Sequence, residues 1–395
     1  MTPDARARTV SVSSCADYSS DEVSKAVDAA LAPLGGIGRF VSPGETILLK
    51  PNMLSARGPD KAVTTHPEVL RAMIRQVKAA GALPIVGDSP AGLSTERALR
   101  NLAAKTGIGR VCEEEGVEFA LFTDSKRVEN PDGVVAKYFE VTTVLDRVDG
   151  VISLAKFKTH TFTVMTGAVK NHFGLMVGLK KAGFHLRLKD RDSFSEMLVD
   201  LSGCIKPMHR LTLMDAVVGM EGDGPGSGEP RRLGLIVASD DVHALDLYVT
   251  HMMGVAPDAV PTVAIARRRG LAPMTLEEVQ LVGDAASTAP FRGFRMPSTT
   301  AHYAGVPSAL GALAGEVATR KPVFLAERCI RCNACVEICP VSALTMGHRK
   351  PEIDRGLCIR CYCCQETCPE KAVVLRRRPL RSIGRRALAW VRKAK

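Results

Sequence analysis

The 395-residue sequence lacks several features that would assign it to a familiar class of protein. No stretch approaches the roughly 20 consecutive apolar residues that a membrane-spanning helix requires. The first residues, MTPDARARTVSV, contain no apolar core of the kind found in secretion signals. Hydrophobic residues make up 46% and charged residues 24% of the chain, as in soluble globular proteins, so we expect a cytoplasmic protein of two or three domains.

Three catalytic fingerprints are missing as well. The sequence has no G-x-x-x-x-G-K-[ST] run, which disfavours a P-loop nucleotidase. No G-x-G-x-x-G run follows a predicted strand, which disfavours a standard NAD-binding domain. A G-x-S-x-G run is absent too, so nothing in the sequence suggests a hydrolase.

Acidic residues are absent after Leu375, where nine arginine and lysine residues account for most of the formal net charge of +11. The excess of positive charge therefore belongs to the tail and not to the folded part of the chain. Without those nine residues the net charge is 11 − 9 = +2, so the folded part lacks the basic surface typical of nucleic-acid binding and we expect no nucleic-acid partner.

Cysteine, in contrast, is abundant near the end of the chain. Residues 329–340 and 358–369 each read C-x2-C-x2-C-x3-C-P, the run that holds a cubane iron–sulfur cluster in bacterial ferredoxins. Disulfides are typical of short secreted chains, and zinc sites usually use C-x2-C pairs without a trailing C-P. Two complete copies therefore favour iron–sulfur clusters over both alternatives.

The spacing predicts two [4Fe-4S] clusters with exchanged fourth ligands, because the last cysteine of each run binds the other cluster in two-cluster ferredoxins. The predicted ligand sets are Cys329, Cys332, Cys335 and Cys368 for the first cluster, and Cys358, Cys361, Cys364 and Cys339 for the second. Cys363 falls outside the spacing and is either a small buried residue or a substitute ligand. The scattered Cys15, Cys112 and Cys204 are interpreted as buried thiols.

The first 285 residues alternate strand-like and helix-like segments, which predicts an α/β domain with a largely parallel sheet flanked by helices. Strands are predicted at 9–13, 46–49, 83–86, 118–122, 150–154, 211–214 and 233–238. Helices are predicted from the capping sequences at 19–22, 65–68 and 193–196, and another after Asp240. Residues 286–320 form a connecting segment, 321–375 a small α+β ferredoxin-type two-cluster domain, and 376–395 a basic tail.

Polar residues cluster just after several predicted strands of the α/β domain. Ligands of open α/β sheets bind beyond the carboxyl ends of the strands, so these residues should meet in one crevice. The candidate substrate-binding residues are Lys50, Asn52, Asp88, Lys156, Lys158, His160, Lys170, Asn171, Glu221 and Gly224.

Lys156, Lys158 and His160 alternate, which in an extended segment places them on one side. Such a group suits a carboxylate or phosphate, although surface lysines are more often merely solvated. His160 and Asp88 are the candidates for proton transfer. In the glycine-rich stretch 219–228, Glu221 and Asp223 are either metal ligands or, as we favour, residues of a turn.

Several of these segments resemble a known family, the one described as domain of unknown function 362. The similar segments are Leu49–Asn52, Gly87–Pro90, Lys156–His160, Thr166–Asn171 and Met220–Pro225. The resemblance covers about residues 8–285, and that family is often joined to a carboxyl-terminal ferredoxin unit. It implies that these residues form one site, but it implies no particular reaction.

The tail is predicted to form an amphipathic helix, with Trp390 on its apolar side and arginines on the other. Such a helix suits an anionic membrane surface or an acidic partner, or it packs on the protein's own surface. The first alternative predicts peripheral contact with the inner face of the membrane.

Our leading hypothesis is an iron–sulfur oxidoreductase that exchanges electrons with an anionic small molecule in the crevice. Its electrons would come from a redox partner protein or a small electron donor. The alternatives are a non-catalytic electron carrier or assembly factor that docks to a redox partner or membrane complex, and clusters that only brace the fold.

Overall fold

A computed structural model describes residues 8–188, 190–300 and 320–377. In chain order its strands are β1 (Arg8–Ser14), β2 (Thr46–Pro51), β3 (Leu83–Val86), β4 (Ser125–Glu129), β5 (Tyr138–Thr142), β6 (Gly150–His160), β7 (Val164–Met165), β8 (His209–Glu221), β9 (Glu229–Ser239), β10 (Val279–Val282), β11 (Lys321–Phe324), β12 (Leu344–Met346), β13 (Pro351–Ile353) and β14 (Val373–Arg376). The helices are α1 (Ser20–Leu31), α2 (Pro67–Ala79), α3 (Glu96–Thr106), α4 (Ile108–Glu114), α5 (Gly167–Asn171), α6 (Lys180–Arg187), α7 (Arg191–Ile205), α8 (Val242–Met252), α9 (Pro261–Arg268), α10 (Ala334–Glu337) and α11 (Cys363–Thr367).

The main sheet has the strand order β10-β1-β9-β8-β6-β2-β3, with β7 paired to the end of β6. Six strands of this order run in one direction, and β9 runs against both of its neighbours. The predicted α/β class with a largely parallel sheet is therefore confirmed.

Helices cover both faces of the sheet because its central strands are buried on both sides. Along β2, Ile47 and Leu49 join a core that includes apolar residues of α1 to α4. Leu48, which points to the opposite face, joins a second core that includes residues of α5, α7, α8 and α9. This alternation leaves the carboxyl ends of β2, β3 and β6 as the place where polar side chains can gather.

Several local predictions differ from the structure. The strand predicted at 150–154 continues to His160 as β6, and the strand predicted at 211–214 is longer at both ends as β8. Lys156 and Lys158 therefore lie within β6 and not beyond its end. The strand predicted at 118–122 is only a single bridge between Phe119 and Val86, because the segment meets the sheet edge for one residue. The helix predicted to start at Ser193 begins at Arg191 instead, since the side chain of Asp190 accepts the backbone N–H of Ser193 and caps it.

The ferredoxin-type part consists of two similar halves, 29 residues apart in sequence. The antiparallel pairs β11–β14 and β12–β13 accompany the short helices α10 and α11. Phe324, Leu344 and Val373 pack with the cysteines in a separate small core. The predicted α+β character of this part is confirmed.

In the described part of the chain, no helix is long and apolar enough to cross a membrane. The predicted tail helix falls on residues 378–395, which lie outside the described residues, as does most of the connecting segment (301–319). The described beginning of the connecting segment packs on the α/β domain, where the rings of Phe291 and Phe294 meet Phe157 edge to face.

Candidate functional site

The carboxyl ends of β2, β3 and β6 open into one cavity of about 80 Å³, closed on its far side by α6 and by the ferredoxin-type part. Of the predicted site residues, it brings together Lys50, Asn52, Asp88, Lys158, His160, Lys170 and Asn171. Cys363 and residues that the sequence did not single out complete the wall, notably Lys181, His185, Ile338 and Glu366. Ligand pockets for drug-sized molecules span roughly 300–1,000 Å³, so this one suits a small ligand.

A buried ion pair joins the ends of β2 and β3. The Lys50 ammonium lies 2.7 Å from the Asp88 carboxylate, whose other oxygen accepts the backbone N–H of Met53. Gly174 lies so close to this pair that any side chain there would collide with both partners. Asp88 is therefore fixed by its partners, which makes it a poorer candidate for proton transfer than the sequence suggested.

Lys158 is buried with only neutral partners among the described residues. Its ammonium donates to the side-chain oxygen of Asn52 at 2.5 Å and to the carbonyl of Val63 at 2.7 Å. Burial, followed by the charge of Lys170, lowers the pKa of Lys158 well below its ordinary value. An anion in the cavity would relieve this cost, because an unpaired buried charge is strongly disfavoured.

Two further lysines face the cavity without a carboxylate within ion-pair distance among the described residues. Lys170 contacts the ring of Phe173, and burial lowers its pKa against the attraction of Glu366. Lys181, on α6, donates to the carbonyl of Ser89 at 2.6 Å. Burial lowers the pKa of Lys181 to about 7, so this side chain can gain or lose a proton near neutral pH.

His160 meets a carboxylate that comes from the ferredoxin-type part. Its Nδ1 accepts the backbone N–H groups of Phe162 and Thr163, which leaves the proton of the neutral ring on Nε2. That nitrogen lies 3.1 Å from Oε1 of Glu366. Burial lowers the pKa of His160 to about 4. Burial alone would raise the pKa of Glu366, but His160 and Lys170 outweigh it and lower the value to about 2.

The short helix α5 holds Lys170 and Asn171 in place. The buried carboxylate of Asp246 accepts the backbone N–H groups of Ala168 and Val169, so it caps α5 although it belongs to α8. Asn171 then donates to Ser153 and accepts from Asn52 at 2.9 Å. Asp246 lies in α8, close to Asp240 where that helix is predicted to start, but its side chain supports the site.

Lys156 is not part of the cavity wall. Its ammonium lies 2.6 Å from Asp215 and 2.9 Å from the Tyr18 hydroxyl, fully buried in the sheet. A register shift between Lys156 and Lys158 interrupts the pairing of β6 with β8. The expected single group of Lys156, Lys158 and His160 is therefore divided between two environments.

Glu221 and Gly224 do not line the cavity either. The Glu221 carboxylate pairs with Arg231 at 2.9 Å and Arg295 at 2.6 Å, which satisfies it within the fold. Gly224 lies against the backbone of Thr159, and only its neighbour Pro225 reaches the cavity. The favoured interpretation of a turn is wrong for Glu221, which is the buried last residue of β8, and it describes only the residues after it, including Asp223 and Gly224.

The glycine-rich stretch 219–228 contacts the ferredoxin-type part through several hydrogen bonds. Arg57 donates to the carbonyls of Gly226 and Cys368 and so bridges the two parts. Gln365 donates to the carbonyl of Asp223 at 2.8 Å. Lys371 donates to the carbonyl of Gly228 at 2.8 Å. These contacts hold α11 against the cavity.

The cysteines gather around two cavities inside the ferredoxin-type part. One is lined by Cys329, Cys332, Cys335 and Cys368, and the other by Cys339, Cys358, Cys361, Cys363 and Cys364. Among the described residues, no group of three or more His, Cys, Asp or Glu side chains is arranged to hold a single metal ion. A cubane cluster contains four irons and needs its thiolates spread around it, so this arrangement fits a cluster in each cavity.

The backbone around the cysteines repeats from one half to the other. Arg331, Asn333 and Ser342 adopt left-handed conformations, and so do their counterparts Arg360, Tyr362 and Lys371. The Cys339 sulfur accepts a backbone N–H at 3.3 Å and that of Cys368 one at 3.2 Å. Such strained backbone persists only where its surroundings fix it, and donors to sulfur stabilise thiolates, so both features suit cluster binding.

Cys363 lies between the second cysteine set and the lysine-rich cavity at the ends of β2, β3 and β6. It is buried, lines both the lysine-rich cavity and the cavity of the second cysteine set, and begins α11 two residues after Cys361. Because α11 carries Cys363 and Glu366 together, the helix that bears the predicted ligand Cys364 forms part of the lysine-rich cavity wall. The one signal in the sequence was that Cys363 fell outside the ligand spacing.

Comparison with known proteins finds two family models that match this chain. A family model described as "Domain of unknown function (DUF362)" matches residues 47–251, and one described as "4Fe-4S dicluster domain" matches residues 328–372. A protein from Synechocystis sp. described as "Thylakoid-associated protein sll1697" is 35% identical over 271 residues, which cover 68% of this chain and 82% of that protein.

One solved structure is also similar, the lactate racemase apoprotein from Thermoanaerobacterium thermosaccharolyticum. The match has a TM-score of 0.36 and 12% identity, and it covers 58% of this chain and 54% of that one. A likeness of this size carries no inference about function.

Proposed function

The chain belongs to the DUF362 family and carries a 4Fe-4S dicluster domain that supports iron–sulfur electron transfer, and on this premise we propose that it is an oxidoreductase. Two [4Fe-4S] clusters, held by the two cysteine sets, would supply or accept single electrons. The substrate would be a small anion bound in the lysine-rich cavity. The electrons would come from a redox partner protein or a small electron donor.

This proposal depends on one observation: helix α11 belongs both to the second cysteine set and to the wall of the lysine-rich cavity. Cys363 and Glu366 lie on the same short helix as Cys364, and they face the cavity that Lys158 and Lys170 line from the α/β domain. A ligand there would touch the loop that surrounds the second cysteine set. Contact of this kind favours electron exchange between that set's cluster and the ligand.

The charge of the cavity supports an anion. Its wall contains Lys50, Lys158, Lys170 and Lys181 but only two carboxylates, Asp88 and Glu366. Asp88 is paired with Lys50, and Glu366 lies against His160. The remaining lysines would position a carboxylate or phosphate and stabilise negative charge that develops during reduction.

Lys181 and His160 are the side chains that would handle protons. Lys181 has the pKa best suited to exchange near pH 7. Nε2 of His160 lies 3.1 Å from Oε1 of Glu366, where the ring would take part in proton exchange. Asp88 would act through Lys50, as a positioning residue.

The proposal is tested by electron paramagnetic resonance (EPR) of the reduced, cluster-loaded chain. Inorganic phosphate, oxalate and pyruvate are titrated in turn, and we expect at least one to change the signal. Lys158→Met should abolish the change, whereas Lys25→Met, an exposed lysine on α1, should preserve it. If no anion altered the wild-type signal, or if Lys158→Met responded like the wild type, the assignment of the lysine-rich cavity as the substrate site would be wrong.

A second candidate function is that of a non-catalytic electron carrier or assembly factor at a membrane complex. The description of the Synechocystis relative as thylakoid-associated favours it. It also supports peripheral contact with a membrane surface. Co-sedimentation with anionic liposomes, with and without residues 379–395, separates the two. Tail-dependent sedimentation together with an unresponsive cavity would favour the carrier.

A further inference from the structure

A second cavity, of about 330 Å³, lies apart from the first and shares no lining residue with it. It is bounded by the first residues of β1 and β8, the end of α7 and the start of α8. Its volume falls at the lower end of the roughly 300–1,000 Å³ range of ligand pockets. None of the residues that line it takes part in the proposed oxidoreductase function.

Three imidazoles line this cavity. Nε2 of His172 lies 3.3 Å from Nδ1 of His209, and Nε2 of His209 lies 3.4 Å from the hydroxyl of Thr212. His243 stands on α8 across the cavity. Burial lowers the pKa of His209 and His243 to about 4 and that of His172 well below its ordinary value, so at neutral pH the rings offer neutral donors and acceptors.

Two buried polar atoms on this wall have no hydrogen-bond partner among the described residues. They are Nδ1 of His172 and the hydroxyl oxygen of Ser202, on side chains that are 1% and 2% exposed. An unsatisfied buried polar atom costs about 1–3 kcal/mol, and native folds contain few of them. Two such atoms on the wall of one cavity point to a polar occupant.

The charged residues stand around the cavity mouth. Arg8 pairs with Asp241 at 3.4 Å, and Arg39 pairs with Asp240 at 2.9 Å. Lys206 is exposed and has no ion pair among the described residues. The surplus charge at the mouth is therefore positive, while the deep part is polar and neutral.

We propose that this second cavity binds a small hydroxylated organic anion, such as a sugar phosphate or a hydroxycarboxylate. Its charged group would lie beside Lys206, and its hydroxyl groups would reach the free ring nitrogen of His172 and the hydroxyl of Ser202. A metal ion is a weaker candidate, because the described histidines and carboxylates form no group of three arranged to hold one.

The test is isothermal titration of the full-length, cluster-loaded chain with ribose 5-phosphate, 3-phosphoglycerate and citrate. We expect at least one of them to bind. Lys206→Glu should weaken that binding at least tenfold, because it reverses the charge at the mouth. Since Lys206 is exposed, this variant should fold normally. Ser202→Leu should abolish binding, because the larger side chain fills the deep end.

Two controls separate this site from the first cavity. Lys25→Glu, another exposed lysine changed in the same way, should bind like the wild type. Lys158→Met should also retain binding, since Lys158 belongs to the other cavity. The proposal is overturned if none of the three anions binds, if Lys206→Glu binds as tightly as the wild type, or if Zn²⁺ alone binds through the histidines.

Discussion

The two halves of the ferredoxin-type domain carry the same cysteine run and repeat the same backbone, yet their surroundings differ. In the first half, Ile330 is 62% exposed and Asn333 lies in solvent. Their counterparts in the second half, Ile359 and Tyr362, are half-buried and buried. The second copy is therefore more deeply covered than the first, which contributes only Ile338 to the lysine-rich cavity.

The glutamates at equivalent positions of the two halves lie in different environments. Glu337 is exposed, whereas Glu366, 29 residues later, is buried against His160. Ala334 and Cys363 occupy equivalent positions, but only Cys363 faces the lysine-rich cavity. A repeated motif therefore defines what both halves can bind, and the neighbouring domain decides which half serves the site.

The largest effect is expected from removing one ligand in each half. Cys335→Ser and Cys364→Ser should each reduce the iron content from about eight to about four atoms per chain, because each removes a ligand of one four-iron cluster. Only Cys364→Ser should also abolish the response of the EPR signal to anions. Iron analysis and EPR check this.

Cys363→Ser is the matched control for these variants. It should retain all the iron, because Cys363 lies outside the ligand spacing. If it lost half of the iron, Cys363 would be a ligand and the assignment of the second set would be wrong.

Breaking the bridge that covers the second half should have the next largest effect. Arg57→Ala leaves the carbonyls of Gly226 and Cys368 without their donor and should destabilise the contact by about 2–4 kcal/mol. We expect Cys363 to be alkylated by iodoacetamide much faster in this variant, as read by mass spectrometry. Cys204, on α7, is the internal reference, and equal rates in variant and wild type would contradict the bridging role.

Exchanging each glutamate for glutamine compares the halves directly. Glu366→Gln should lower stability by about 1–3 kcal/mol at pH 7, and Glu337→Gln by less than about 0.5 kcal/mol. Because the pKa of Glu366 is lowered from 4.5 to about 2, its contribution is complete above pH 4.5 and is lost as the pH falls towards 2. Thermal unfolding at pH 7 and pH 3 measures both differences, and equal Tm values for the two variants at pH 7 would refute the comparison.

Much of this arrangement was predictable from the sequence. Strand–helix alternation predicted the parallel sheet, and the position of Lys50, Asp88 and Lys158 after strands predicted their meeting, because parallel strands end at one edge. The capping sequence at 65–68 also correctly predicted a helix start, where Nδ1 of His66 accepts the N–H of Glu68.

The remaining features depend on contacts between segments distant in the sequence. Asp215 lies 59 residues from Lys156, yet it removes that lysine from the site. Glu366 lies over 200 residues from His160, and no local pattern distinguishes it from Glu337. Lys181 looks like an ordinary helix-surface lysine, and only the packing of α6 over the cavity buries it. Such pairings are set by tertiary packing, which spacing along the chain does not encode.

The smallest effect concerns the pH at which the covered half responds to an anion. Lys181 has a pKa of about 7 and faces the cavity together with Lys50, Lys170, Asp88 and Glu366. Its ammonium form, which attracts an anion, dominates below pH 7, so affinity should fall roughly tenfold between pH 6 and pH 8. Lys181→Met should bind more weakly at pH 6 and lose this dependence, whereas Lys180→Met, the exposed neighbour, should keep it. Anion titrations followed by EPR at both pH values decide the matter, because a wild-type affinity that did not change with pH would exclude Lys181 as the titrating group.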